Sequence, residues 1–208
     1  MAPSSTTLVI ASGNAGKVRE FAALLAQLPL GIQAQPEGFE VEETGATFAE
    51  NARIKAAAVA LATGCWALAD DSGLAVAALG GAPGVHSARY AATDLERIDR
   101  LLRELEAATA AVDGPGAGAP SADRSARFTA ALAVADPSGA IRLEVEGHCP
   151  GVILEAPRGA GGFGYDPVFL VPELGQTFAE MDKATKGRIG HRGRAFALLE
   201  PALRQLLI

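Results

Sequence analysis

The sequence predicts an α/β fold, and three observations carry that expectation. Short apolar runs alternate along the chain with segments whose apolar residues recur at helical spacing. The 208 residues are 49% hydrophobic but only 5% aromatic. A core of alanine, valine and leucine follows, and small side chains let helices lie close on a sheet. Glycine- and proline-bearing joints separate the segments. The length suffices for one domain with a substantial core, undivided or in two lobes.

The elements follow in order. TTLVIA at 6–11 reads as a buried strand, short and β-branched, bounded by Gly13. In 17–28 the apolar residues Val18, Phe21, Leu24, Leu25 and Leu28 have helical spacing, and Pro29 follows. SGNAG is therefore a strand-to-helix loop. A second helix is expected from Phe48 to Thr63, with Thr47 and Glu50 in capping-box register and Gly64 as the stop. The strand WALAD then runs into Asp70-Asp71-Ser72-Gly73, and 80–90 is a glycine/proline loop. A helix covers roughly Thr93–Ala111. DGPGAGAPSAD at 113–123 has the composition of a flexible surface loop inside a single domain spanning 1–208. The strand ARFTAALAVAD follows. Pro137-Ser138-Gly139 turns into further strands at 140–148 and 150–155. GAGGFGYDPVF is a glycine-rich loop entering a strand, and from Thr177 onward the chain reads as mostly helical.

A net charge of −6, from 18 basic and 24 acidic residues, disfavours a protein that wraps nucleic acid. It leaves an anionic small substrate open, because a local basic pocket is enough. Cys65 and Cys149 belong to no metal-binding spacing; two buried, reduced thiols are expected. No apolar run is long enough to span a bilayer, and MAPSSTT lacks the basic start and apolar centre of a signal peptide. A cytoplasmic protein without membrane or nucleic-acid partners is the expectation.

The loop Ser12-Gly13-Asn14-Ala15-Gly16-Lys17 fits neither a Walker P-loop nor a Rossmann fingerprint. Its small residues, the helix start and Lys17 still supply what an anion needs; taken alone it is equally a bare turn. Asp70-Asp71 end a predicted strand, where α/β proteins place ligands. Strand alternation sends the two carboxylates to opposite sides, so one is expected to face a ligand. Glu42-Glu43, just before the capped helix, add a second acidic pair. Carboxylates from the two segments, converging beside an anion loop, would suit magnesium. Lys55 shares a helix face with Asn51. Lys183, Lys186, Arg188, His191, Arg192 and Arg194 form the densest basic run and are the candidate contacts to a polyanion.

Five stretches in order resemble the inosine/xanthosine triphosphate pyrophosphatase family: SGNAGKVREF, EETGATFAENARIKA, ADDSGLAVAALGGAPGVHSARY, GGFGYDPVF and KGRIGHRGRA. They span nearly the whole chain. The resemblance implies a two-lobed fold related to that of Maf proteins, with a mixed, twisted sheet flanked by helices and a central nucleotide cleft. It implies magnesium-dependent hydrolysis of ITP, dITP and XTP to the monophosphate and pyrophosphate, and a homodimer. Residue by residue, it places Ser12, Gly13, Asn14, Ala15, Gly16 and Lys17 on the triphosphate, with Lys55 and Lys186 neutralising charge. Asp71 becomes the catalytic, metal-holding carboxylate, Glu42 or Glu43 a further metal contact, and Ser72 a neighbour of the substrate. Phe163, Gly164, Tyr165 and Asp166 hold the base, with Phe163 stacking, and His191 and Arg192 read the purine edge. The nearest rival is a Maf-like pyrophosphatase acting on dTTP or UTP, against which GGFGYDP and GHRGRA speak. The other rival is a nucleotide-binding regulator without turnover, which would not need Asp71 together with Lys17, Lys55 and Lys186.

Overall fold

A computed structural model describes residues 6–112 and 123–208. All but Asp123 of the loop expected at 113–123 therefore lies outside the described residues. The strands are β1 (Thr7–Ala11), β2 (Gly31–Ala34), β3 (Trp66–Val76), β4 (Ser125–Ala135), β5 (Ile141–Ile153), β6 (Phe169–Val171) and β7 (Gln176–Thr177). The helices are α1 (Ala15–Leu25), α2 (Phe48–Thr63), α3 (Asp94–Val112), α4 (Lys183–Ile189) and α5 (His191–Leu207). The strands hydrogen-bond in the order β2-β1-β3-β4-β5-β6-β7. β1 pairs parallel with β2 and β3, while β6 pairs antiparallel with β5 and β7, so the sheet is mixed.

The chain forms two compact units. One comprises the residues through Ser72, Ala130–Gly147 and Gly187–Ile208; the other comprises Gly73–Thr129 and His148–Lys186. In the first unit, period-two alternation sorts the core into two layers. Leu8 and Ile10 of β1, Leu68 of β3, and Leu132 and Val134 of β4 pack with Phe21 and Leu25 of α1 and Phe196, Leu199 and Leu203 of α5. On the other face, Val9, Ala11, Ala67, Ala69, Ala131 and Ala133 pack with Ala52, Ala56, Val59 and Ala60 of α2. That layer is nearly all alanine and valine, the close helix-on-sheet packing that the composition predicts. α2 keeps its expected bounds. Thr47 Oγ1 accepts from the Glu50 N–H at 3.2 Å, Glu50 Oε2 accepts from the Thr47 N–H at 3.1 Å, and Gly64 ends the helix at φ 64°. That left-handed cap is open to glycine at little steric cost.

The second unit has an aromatic core. Phe128 lies 4.7 Å from Phe169 and 5.6 Å from Phe178, ring centre to ring centre, and Phe169 and Phe178 are 4.8 Å apart. Leu74, Val76, Ile98, Leu101 and Leu105 are buried in the same unit. Each such ring or aliphatic side chain contributes about 1.5–3 kcal/mol when fully buried. A capping box the sequence reading passed over starts α3: the Thr93 N–H donates to Glu96 Oε2 at 2.9 Å, and the Glu96 N–H to Thr93 Oγ1 at 3.2 Å.

Several expectations are corrected. β3 does not end at Asp70-Asp71 but continues to Val76, because Leu74 and Val76 resume the buried apolar alternation. The strands expected at 140–148 and 150–155 are one strand, β5, which runs on through Pro150. α1 starts two residues earlier than expected, at Ala15, because Asn14 caps it. The segment after Thr177 becomes helical only at Lys183. Both cysteines are free, but Cys65 is half-buried, and only Cys149 is buried.

Between β4 and β5, Asp136 organises the turn. Its Oδ1 accepts from the Ser138 N–H and hydroxyl and from the Ala140 N–H, and Arg142 donates to Oδ2 at 2.6 Å. The Ser138 bonds, then Arg142, hold its pKa at about 2, against about 3.9 in an unfolded chain. A carboxyl lowered on folding adds stability that is whole above the unfolded value and is lost as pH falls through the folded one. The melting temperature of the native chain should therefore drop more steeply than that of Asp136→Asn between about pH 4 and about pH 2, followed by circular dichroism. Parallel curves would remove Asp136 from the acid response.

Candidate functional site

The alternation that divides the first unit's core also divides its two adjacent carboxylates. Asp71 continues the register of Ala67 and Ala69 and meets α2. Asp70 continues the register of Leu68 and meets the first turns of α1 and α5. Both are buried.

On the α2 side, Lys55 Nζ donates to Asp71 Oδ1 at 2.8 Å, Glu43 Oε1 at 2.8 Å and the Asp70 carbonyl at 2.9 Å. Those are three acceptors for three ammonium protons. Asn51, wholly buried, donates from Nδ2 to Asp71 Oδ2 at 3.3 Å while its Oδ1 accepts from the Gly45 N–H at 2.8 Å. One amide thus ties the Glu43 segment to the carboxylate. Gly45 has no room for a side chain, since a Cβ there would lie 2.7 Å from Asn51 Oδ1 and 2.6 Å from Glu50 Cβ. Burial raises the Asp71 pKa; Lys55 pulls it back without cancelling the effect, and the Glu43 charge adds to the rise. For Lys55 burial opposes the charge, but Asp71 and Glu43 outweigh it and the pKa is raised.

On the other side, three donors converge on Asp70 Oδ2: Lys17 Nζ at 2.9 Å, the Ser72 hydroxyl at 3.0 Å and Arg192 Nε at 3.3 Å. Arg192 also donates from Nη2 to the Ser72 hydroxyl at 2.6 Å and from Nη1 to Glu20 Oε2 at 2.9 Å. Burial favours neutral Asp70, yet Lys17 and Arg192 win and hold it well below the usual carboxylate range. Lys17 is lowered chiefly by burial, against which Asp70 works.

The loop ahead of Lys17 is a capped helix start. Asn14 Oδ1 accepts from the N–H groups of Gly16 at 2.8 Å and Lys17 at 3.1 Å, and Ser12 Oγ accepts from the Asn14 N–H at 3.2 Å. Gly13, Asn14 and Ala15 are exposed. Glu42 is exposed as well, whereas Glu43 turns to Lys55.

Phe163, Gly164, Tyr165, Asp166 and Lys186 belong to the second unit. Asp166 Oδ2 accepts from the Phe163 N–H at 2.9 Å and from Lys186 Nζ at 2.6 Å, and that ammonium lies 5.0 Å from the Phe163 ring centre. Asp94 Oδ2 accepts from the Gly164 N–H at 2.7 Å, and the buried Tyr165 hydroxyl donates to the Ser87 carbonyl at 3.0 Å. Phe163 itself is half-buried.

The basic run at 183–194 is not one patch. Lys183 and Arg188 are exposed, Lys186 pairs with Asp166, and His191 and Arg192 are buried. Glu20 and Asp94 are site neighbours that the sequence reading passed over, and Asp70 and Asn51 are ones that it named without giving them a role. For Asp70 a signal existed, because a strand that sends Asp71 to one helix must send Asp70 to another.

Among the described residues no three His, Cys, Asp or Glu side chains group as a metal cage. Magnesium asks for less: one or two carboxylates, with water and phosphate oxygens completing the octahedron. Asp71 and Glu43, whose oxygens lie 2.8 Å from the same nitrogen, fit that demand. So does the charge balance, since the carboxylates of Glu20, Glu43, Asp70 and Asp71 outnumber the cations Lys17, Lys55 and Arg192.

Fold and site together define an α/β protein with two buried, lysine-compensated carboxylates on one strand. The Ham1 family model matches residues 8–202, and the chain belongs to that family. It is 62% identical over 201 residues, 97% of this chain and 96% of the relative, to a dITP/XTP pyrophosphatase of Parasynechococcus marenigrum. It is 57% identical over 188 residues, 90% of this chain and 89% of the relative, to one of Gloeobacter violaceus. Among solved structures, a HAM1 protein from Coxiella burnetii aligns with TM-score 0.82 at 44% identity, covering 96% of this chain and 99% of that one. A nucleoside-triphosphatase / dITP/XTP pyrophosphatase from Mycobacterium abscessus aligns with TM-score 0.69 at 38% identity, covering 94% and 100%.

Proposed function

We propose that the chain is a nucleoside-triphosphate pyrophosphatase that hydrolyses ITP, dITP and XTP to the monophosphate and pyrophosphate and so keeps deaminated purines out of DNA and RNA. The observation that carries this reading is the buried Asp71 carboxylate, held from both oxygens by Lys55 and Asn51 in a chain whose relatives at 62% and 57% identity bear the name dITP/XTP pyrophosphatase.

Asp71 is the general base. A water oxygen bonds to the α-phosphorus, its proton passes to Asp71, and the bond from the α-phosphorus to the bridging oxygen breaks, so the electron pair leaves with pyrophosphate. Lys55 and Asn51 fix the direction of the carboxylate. Burial keeps its pKa raised, which makes it a better proton acceptor than an exposed aspartate. Lys17 supplies a cation for the phosphates, Ser12 to Gly16 line the phosphate chain, and Ser72 lies beside it. Magnesium, when bound, would be held by Asp71 and Glu43 and would offset phosphate charge. A homodimer in the cytoplasm completes the proposal. Among the described residues no helix is long and apolar enough to cross a membrane.

The test is the identity of the product. With ITP and magnesium, phosphate colour should develop only when inorganic pyrophosphatase is added. Colour without it would mean release of single phosphates and a different reaction; no product at all would favour a regulator that binds without turnover. Faster cleavage of dTTP or UTP than of ITP would favour the Maf-like alternative.

A further inference from the structure

We propose that Asp70 is a positioning residue, which acts through Lys17 and Arg192 and holds both cations in one arrangement for the reaction. The inference rests on the pyrophosphatase reading and adds to it a residue that neither touches the phosphates nor takes the proton.

The geometry is that of a hub. A single oxygen, Oδ2, receives Lys17, Ser72 and Arg192. Its partners come from three places in the chain: the first turn of α1, the position two residues along β3 and the first turn of α5. Ser72 closes a ring by accepting from Arg192 Nη2, and Glu20, one turn beyond Lys17 on α1, takes Nη1. The Asp70 side chain is 1% exposed and those of Lys17 and Arg192 are 14% and 8% exposed. Two cations so far from water would repel each other and lose their hydration without a buried anion between them. Asp71, on the opposite face of β3, is hydrogen-bonded by Lys55 and Asn51 of α2, and the Lys17 charge acts on it less strongly than that of Lys55. The adjacent carboxylates therefore divide the work: one does chemistry and the other sets charge geometry.

A division of this kind predicts a specific kinetic pattern. Asp70→Asn keeps the shape and removes the charge. The cations remain, so attraction for a polyanion persists and KM for ITP should stay level or fall. Their placement relaxes, and misplacement of about 1 Å costs about 10²-fold in rate, so kcat should fall by about that factor. Because the effect runs partly through Lys17, the two losses should sum to less than additive. In a Lys17→Met background, Asp70→Asn should cost only the part that runs through Arg192, clearly less than the loss of about 10²-fold that it causes in the native chain.

The experiment measures kcat and KM for the native chain, Asp70→Asn, Lys17→Met and the double variant, each checked for native melting. It is paired with NMR of the lysine ammonium groups without nucleotide. The Lys17 ammonium signal, protected in the native chain, should move or vanish in Asp70→Asn. A rise in KM at unchanged kcat, additive losses, or an unmoved Lys17 signal would each overturn the proposal. If the native chain cleaves no triphosphate while the Lys17 signal still answers to Asp70→Asn, the pyrophosphatase reading has failed, and with it the catalytic role given to Asp70, but not the hub itself.

Discussion

Asp71→Asn is expected to lower turnover of ITP by about 10²–10⁴, the scale of a general base, while the nucleotide still binds. Asparagine matches the shape of aspartate but accepts no proton at neutral pH and brings no charge to a metal. The surroundings sharpen the expectation. The new amide can turn its oxygen to Lys55, as Asp71 Oδ1 does now. Its NH₂ then faces Asn51 Nδ2, also a donor. Asn51 cannot turn over without surrendering the Gly45 N–H that its Oδ1 accepts. Leaving one buried donor unmet costs about 1–3 kcal/mol, so a lower melting temperature accompanies the variant and must be measured beside the rate. Glu43 and Lys55 stay paired, and Lys17, Asp70 and Arg192 lie on the other face of β3, so phosphate binding survives. Isothermal titration with ITP and magnesium tests binding; the pyrophosphate-dependent assay tests turnover. Turnover near that of the native chain would take the reaction away from Asp71.

What the sequence made legible here was mostly local. Thr47, Glu50 and Gly64 bound a helix through contacts no more than four residues away, and α2 appears at the expected residues. Alternation in WALADD already separates Asp70 from Asp71. What lay beyond reach was the identity of distant partners. Arg192 is 122 residues from Asp70, and nothing in GHRGRA says that its arginine turns inward to an acidic hub rather than outward. The same limit turned the basic run at 183–194 into an apparent patch, although burial separates its members. Strand length failed for a different reason. Charged and small residues in DDSG read as the end of a strand, yet Lys17, Arg192 and Lys55 compensate the charges, so the strand carries them through the interior. The glycines of the site were visible as letters, but their reason was not. Gly193 permits contact with the Gly187 carbonyl, which a Cβ would approach to 1.6 Å.

ITP and XTP should be preferred over ATP by about 10⁴ in kcat/KM, the discrimination available to a site built around a hydrogen bond that the wrong substrate cannot make. Hypoxanthine and xanthine carry an oxygen at C6, an acceptor, where adenine carries an amino donor. Arg192 has only donors to offer, so it can complement the first and not the second. GTP retains the C6 oxygen, and its rejection must come from the C2 amino group meeting a close wall or a donor. Two constraints apply to Arg192. Its Nε, Nη1 and Nη2 already serve Asp70, Glu20 and Ser72, so what it presents to a base is set by that network. It is also buried, so Arg192→Ala leaves Asp70 and Glu20 short of a cation and lowers efficiency on every nucleotide. The informative quantity is therefore the ratio of ITP to ATP efficiencies, in which such general losses cancel. If Arg192 reads C6, the ratio narrows in Arg192→Ala; if it serves only the hub, both efficiencies fall together and the ratio holds. His191→Ala, measured in parallel, separates the two residues that resemblance assigns to the purine edge. Native hydrolysis of ATP or GTP as efficient as that of ITP would end the specificity claim. An unchanged ratio in Arg192→Ala would leave the preference standing and take Arg192 out of it.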